Sequence, residues 1–335
     1  MKNKKFVVIT SINNPTLAVE EFSKWNGWTT IVVGDRKSPT DWMHSNVVYL
    51  SLDDQISQFP VFSKFISENT YLRKMIGYLY AFRNGAEAIF ESDDDNIPYP
   101  DALFKIDSDL SSRKNLSPVI SSETGWANIY KEFGAPHCWP RGYPLAYIQN
   151  SPYQVLNNQT MEESWSVMQY LADNDPDVDA IYRMTHSEET YFASHRSYRL
   201  HKNTFSPFNS QATLWIPESY PLMFLPIGKT DRVTDILRGY ISLASLWKGG
   251  STLGYSSPVV YQMRNFHNLS KDFDQEYELY KYGDIWSRKF KEIKAEAFID
   301  SFRLIIKLLV EEYRLDSINI EAYECFLSEI NPKLY

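Results

Sequence analysis

The segment that most constrains this chain is a strand-like apolar run, Glu87-Ala-Ile-Phe90, that passes straight into Glu91-Ser-Asp-Asp-Asp-Asn96. Three consecutive carboxylates repel one another unless something positive sits among them. Alone, such a run reads as a solvated turn. At the end of a strand a divalent cation becomes the better account, because Mg²⁺ and Mn²⁺ take hard oxygen ligands and bind through one or two carboxylates plus substrate phosphates. Asp93 and Asp95 have the one-residue separation that turns two side chains to the same side of an extended segment.

The residues before the acidic run supply its frame. Phe6 to Ile12 is an apolar, β-branched run, Pro15 to Trp25 reads as helix, Thr29 to Val33 is a second strand ending in Gly34-Asp35, and Val47 to Leu50 is a third. Tyr71 to Asn84 repeats apolar residues at helical spacing and stops at Gly85. Strands alternating with helices predict an α/β fold with a mixed, mostly parallel sheet and ligands at the strands' carboxyl ends. After Pro100 the pattern loosens into loop-rich sequence suited to forming a site. Thr230 to Trp247 is a helix ending at Gly249-Gly250, Val259 to Tyr261 is one more short strand, and beyond Asp272 the chain is charged, amphipathic and helical. Residues 1–270 are therefore expected to form the main α/β domain, with 271–335 as a helical extension.

Composition limits the partners. The 335 residues carry 34 basic and 42 acidic side chains, a net charge of −8, which offers no field for a nucleic acid. No stretch reaches the about 20 apolar residues needed to span a bilayer, so the expectation is a cytoplasmic protein, at most peripheral to a membrane. The basic start and short apolar run at the amino terminus end at Asn13-Asn14, too soon for a signal peptide. Cys138 and Cys325 follow no zinc or redox spacing.

Several side chains are candidates for work beside the acidic run. Arg73 and Lys74 open the Tyr71–Asn84 helix and suit a diphosphate, or a solvated helix face. Prolines stiffen the backbone around Arg141 in Trp139-Pro-Arg-Gly-Tyr-Pro144, which suits a guanidinium that grips a phosphate or a sugar hydroxyl, or a structural turn. Asp231, Asp235 and Arg238 share one helix face by their spacing. Asp235 there could act as general base, with Arg232 or Arg238 neutralising a leaving diphosphate; an intrahelical ion pair competes with that reading. His267, after a strand-like run, is a candidate third metal ligand.

In combination, VVITSINNPT, WTTIVVGDRKSPTDW, YLRKMIGYLYAFRNGAEAIFESDDDN, NIYKEFGAPHCWPRGYPL and DILRGYISLASLWKGG, in that order, resemble the STELLO-type glycosyltransferases and, more distantly, the reversibly glycosylated polypeptides that act as UDP-arabinopyranose mutases. The resemblance spans roughly Phe6 to His267. It implies a GT-A fold, a nucleoside diphosphate sugar as donor, Mn²⁺ or Mg²⁺ as cofactor and a glycan or other hydroxyl as acceptor. It also implies Asp93 to Asp95 as the metal-coordinating run, with Asp94 in the donor site, Asp35 as a nucleotide contact, and Arg73 and Lys74 as donor-site cations. In the mutase relatives an Arg-Gly-Tyr-Pro segment carries the arginine that becomes glycosylated, and Arg141 matches it. Nucleotide-sugar mutase and non-catalytic scaffold therefore stand as alternatives to transferase. The membrane anchor that precedes this domain in plant STELLO proteins has no match in the sequence, so a Golgi location is not carried over.

Overall fold

The computed structural model describes residues 4–113, 118–157, 164–186, 188–193, 196–264 and 268–330. The chain opens with β1 (Lys5–Thr10), α1 (Leu17–Phe22), β2 (Trp28–Val33), β3 (Val47–Leu50), α2 (Leu52–Gln58), α3 (Lys74–Arg83), β4 (Ala88–Ser92) and β5 (Asn96–Pro98). Then follow α4 (Ala102–Ser111), β6 (Val119–Ser121), β7 (Gln154–Leu156), β8 (Trp165–Asp173), α5 (Ala180–Thr185), β9 (Tyr198–Leu200) and β10 (Ala212–Trp215). The remainder is α6 (Asp231–Leu246), β11 (Thr252–Gln262), α7 (Leu269–Glu292), α8 (Phe298–Glu312) and α9 (Ile318–Glu329).

One sheet runs through the molecule in the order β3-β2-β1-β4-β10-β8-β11-β9-β6-β7, with β5 paired to β11. From β3 to β4 every pairing is parallel. β10 then enters antiparallel to both β4 and β8, and β11 lies parallel to β8. The α/β class, the mixed sheet and the carboxyl-terminal helices follow the sequence expectation. Two elements depart from it. β11 has 11 residues, where only Val259 to Tyr261 reads as strand. The fully buried β8 had no strand signal, because Ser166 and Gln169 interrupt its apolar run.

Both faces of the sheet are covered, which is why its parallel strands read as continuous apolar runs. Along β1, Phe6 and Val8 enter a core with Met75 and Leu79 of α3, while Val7 and Ile9 enter a second core with Val19 and Phe22 of α1. Gly77 lets α3 lie close on the sheet: a Cβ there would stand 2.5 Å from Val8 Cγ1 and 2.9 Å from Val33 Cγ2. On the same face α6 is buried from Val233 to Leu246, between the sheet and the last three helices. The stripe expected near the carboxyl end is realised by Phe302, Ile305, Ile306 and Leu309 of α8. Among the described residues no helix is long and apolar enough to cross a membrane.

A helix buried along its whole length must pair its polar groups inside the protein. Arg238 of α6 meets Glu91 of β4 through two hydrogen bonds, Nη1 to Oε2 at 3.0 Å and Nη2 to Oε1 at 2.8 Å, and both side chains are fully buried. Trp215 Nε1 and the Tyr78 hydroxyl donate to the same carboxylate. Removing one partner of such a pair leaves the other charge buried alone, at a cost of about 3–5 kcal/mol. Glu91→Gln is accordingly expected to lower unfolding stability by about that amount, read from urea titration of the purified variant. A change within error would show that the pair is not load-carrying for the fold.

Candidate active site

The parallel strands deliver the acidic run to the sheet's carboxyl edge, where each carboxylate takes a different partner. Asp93 accepts a hydrogen bond from Lys74 Nζ at 2.8 Å. That ammonium is fully buried and also donates to the Tyr71 hydroxyl and the Ser210 carbonyl, so it fixes Asp93 from below. Asp94 turns toward the end of β1, where Ser11 Oγ and Asn13 Nδ2 donate to its Oδ2. Asp95 accepts from Gln262 Nε2 at 3.1 Å and from Asn96 Nδ2 at 3.2 Å. No cation pairs with Asp94 or Asp95 among the described residues.

Arg141 occupies a tight turn closed by the Tyr143 N–H on the Pro140 carbonyl, with Gly142 at φ +90° in the position that favours glycine. Its guanidinium lies between two buried carboxylates. Nε and Nη2 donate to Asp177 at 2.8 and 2.9 Å, and Nη1 and Nη2 donate to Asp235 at 3.0 and 2.9 Å. The Arg232 carbonyl accepts the remaining Nη1 proton. All five donors are thus used. Burial raises the Asp177 carboxyl, but the charge and hydrogen bonds of Arg141 outweigh it and hold the carboxyl well below its usual range.

This geometry revises several expectations. Asp235, expected as general base, has both oxygens committed to Arg141 and is buried. Arg238, expected at the leaving diphosphate, is sealed beneath the site on Glu91. The Arg73 guanidinium is nearly buried and engaged by Gln55, the Ile66 carbonyl and Asp35, and Lys74 acts through Asp93. Asp35 itself accepts the Thr70 and Arg36 N–H groups at the end of β2. His267 lies outside the described residues. Sequence reasoning missed Asp177, Asn209, Gln211 and Gln262, which sit in loops or at strand ends and carry no local pattern.

Two connected spaces open over these residues. One, of about 320 Å³, is lined by the ends of β1 and β2, with Ser11, Asn13, Asp35 and Arg73 on its wall. The other, of about 280 Å³, holds the acidic run together with Arg141, Asp177, Asp231, Arg232, Asp235 and Arg264. Thr10, Tyr71 and Asp94 belong to both. Six carboxylates line the second space against three guanidinium groups, and the Lys74 ammonium beneath Asp93 supplies a fourth cation, which leaves a formal surplus of two negative charges. Asp231, at the start of α6, is paired to no cation among the described residues; burial of its carboxyl raises it, opposed by the Tyr71 N–H. Arg264 is pushed down to about 10, by burial and then by Arg183 and Arg232.

The donor set suits a hard divalent cation. Asp93 and Asp95 offer carboxylate oxygens in a space where acidic groups outnumber basic ones. Among the described residues no group of three or more His, Cys, Asp or Glu side chains stands ready as a metal cage, so a cation here would need oxygens from a ligand or water to complete its shell.

No family model matches the sequence. The chain is distantly similar to the STELLO-type proteins: it is 25% identical over 274 residues to Probable glycosyltransferase STELLO2 of Arabidopsis thaliana, covering 78% of this chain and 36% of that one. Probable glycosyltransferase STELLO1 of the same plant is 25% identical over 275 residues, with the same coverage. The chain thus spans about a third of the length of the curated relatives it matches. Solved structures with a similar course include mannosyltransferase PcManGT from Pyrobaculum calidifontis in complex with GDP-Man and Mn²⁺, at TM-score 0.41 and 10% identity over 99% of this chain and 81% of that one. Glucosyl-3-phosphoglycerate synthase from Mycobacterium tuberculosis with Mn²⁺ and UDP-glucose has TM-score 0.41 and 11% identity, over 88% and 80%. Likenesses of that degree add nothing to the case made by the site itself.

Asp95 gives the site a pH signature. Burial, then the neighbouring Asp93 charge, pushes its carboxyl up from 3.8 to about 7. The folded protein therefore holds this proton more tightly than the unfolded chain, and the associated stability, present below 3.8, is lost as pH rises to about 7. Asp95→Asn removes that titration. Thermal midpoints of the ligand-free protein measured across this interval should fall less steeply with pH in the variant than in the parent; parallel curves would exclude the shift.

Proposed function

We propose that this chain is a GT-A-type glycosyltransferase that moves a sugar from a nucleoside diphosphate donor to a hydroxyl acceptor. The observation that carries the reading is the surplus of negative charge around Asp93 and Asp95, in a cleft continuous with a second cavity at the carboxyl ends of β1 and β2. Open α/β sheets bind ligands at that edge. The β1–β2 cavity, with Asp35 on its wall, suits the nucleoside, and the acidic cleft suits the diphosphate and sugar. The names of the distant relatives point to the same activity.

A diphosphate does not enter a space of like charge unaided. Asp93 and Asp95 would hold Mn²⁺ or Mg²⁺, which when bound neutralises diphosphate charge and supports departure of the leaving group. Lys74 fixes Asp93, and Gln262 and Asn96 orient Asp95. Arg232 and Arg264, each anchored from behind by an acid, Glu276 or Asp272, face the cleft and take the role for which Arg238 is too deep. Asp231, which lines the cleft and pairs with no cation among the described residues, would take a proton from the acceptor hydroxyl.

The mutase alternative is the weaker reading because of one contact set. A glycosylated arginine must present a nitrogen to the sugar, and every N–H of Arg141 is already engaged with Asp177, Asp235 or the Arg232 carbonyl. Arg141 reads as the brace that holds the cleft's floor.

Titration calorimetry with UDP-, GDP-, CDP- and TDP-sugars should find one donor bound in the presence of Mn²⁺, and Asp93→Ala and Asp95→Ala should abolish that binding. No donor bound by the parent protein would refute the proposal. Asp231→Asn should keep donor affinity and lower turnover by about 10²–10⁴-fold, the range for loss of a general base. Parent protein that binds donor but turns over no acceptor would place the chain among non-catalytic scaffolds.

A further inference from the structure

The molecule holds a third cavity with no role in donor binding. It measures about 430 Å³ and lies between α5 and the start of α7, walled by the segment from Asn174 to Val178 and by Arg264. Arg264 also lines the acidic cleft, and that cleft shares Thr10, Tyr71 and Asp94 with the cavity at the ends of β1 and β2. The acidic cleft thus adjoins both of the other spaces, which share no lining residue with each other. A transfer reaction needs that order: nucleoside, then the diphosphate and sugar, then the group that accepts the sugar.

The walls of the outer cavity define what it can hold. The rings of Tyr182 and His186 stack with centroids 4.4 Å apart and planes 2° from parallel. Tyr182 is buried and His186 exposed, so the pair presents one open ring face. Arg183 Nη1 is held by Asp175 and its Nη2 by the Pro176 carbonyl, while its buried Nε has no hydrogen-bond partner among the described residues. Glu188 and Glu189 stand exposed on the rim as acceptors for hydroxyl groups. Three carboxylates against two guanidinium groups, Arg183 and Arg264, disfavour an anionic ligand. A flat apolar face ringed by hydroxyls matches the whole set, and that is the shape of a neutral pyranose.

We infer that this cavity is the acceptor site, and that it takes a neutral pyranose stacked on His186 with a hydroxyl directed past Arg264 into the acidic cleft. This rests on the transferase reading above. In the step it serves, the acceptor oxygen bonds to the donor's anomeric carbon and gives its proton to Asp231, while the bond from that carbon to the diphosphate oxygen breaks and the nucleoside diphosphate leaves. Arg183 lines the acceptor's cavity while Arg264 keeps its place beside the diphosphate, and neither exchanges a proton.

The probes are methyl α-mannopyranoside, methyl β-glucopyranoside and methyl β-glucuronide, tested on the full chain by saturation-transfer difference NMR with titration. A neutral glycoside should bind and the glucuronide more weakly. His186→Ala, at an exposed position, should weaken the neutral glycoside about tenfold, the equivalent of about 1.4 kcal/mol, and His186→Phe should restore it. Donor binding with Mn²⁺, followed by calorimetry in the same variants, should stay at the parent value. Unchanged glycoside affinity in His186→Ala, displacement of the glycoside by the nucleotide sugar, preference for the glucuronide, or no glycoside bound by the parent protein would each overturn the inference. Loss of donor binding in the parent would instead count against the transferase reading, and is read from a separate measurement.

Discussion

The structure of the site depends on α6 being a buried helix whose polar groups have to find partners inside the protein. Along one face it carries three charged residues that meet three different surroundings. Arg238 lies deepest and closes on Glu91, the residue of β4 two positions before the acidic run. Asp235, one turn nearer the cleft, closes on Arg141. Asp231, at the exposed end, pairs with no cation among the described residues. The first contact ties the helix to the strand that presents the carboxylates, and the second ties it to the turn at Pro140–Tyr143 and, through Asp177, to the segment after β8. A single helix thus sets the spacing between the acidic run and the opposite wall.

Charge is distributed in depth as well as across the site. Below the cleft the ionic groups are matched: Lys74 has three acceptors and Glu91 has Arg238, Trp215 and Tyr78 as donors. At the cleft surface they are not, and Asp94, Asp95 and Asp231 remain without cations among the described residues. A matched floor under an unmatched surface keeps the negative field where a ligand can answer it. The separation follows from solvation. A carboxylate beside water tolerates the lack of a partner, while one in the core does not.

Much of the frame was legible because the parallel strands are buried on both sides. β1, β2, β3 and β4 announced themselves as unbroken apolar runs. β8 escaped notice for the complementary reason: its polar residues are buried too, and Gln169 spends its hydrogen bonds on the backbone and on Thr213. No local pattern distinguishes such a strand from a loop. Asp177 and Asn209 were hidden similarly, since each works through a contact with Arg141 or Asp177 that joins segments more than thirty residues apart.

The sequence by itself determined the α/β order of the first hundred residues, the acidic run at a strand end, and the face of α6 on which Asp231, Asp235 and Arg238 fall, because these depend on periodicity and neighbours along the chain. Only the tertiary structure decided which of those charges faces the cleft. Helical spacing sets the direction of a side chain but not its depth, and depth is what separates the free carboxylate of Asp231 from the braced Asp235 and the sealed Arg238. The same holds for Arg141, whose stiff turn was visible in the sequence while the two carboxylates that consume its donors came from distant parts of the chain.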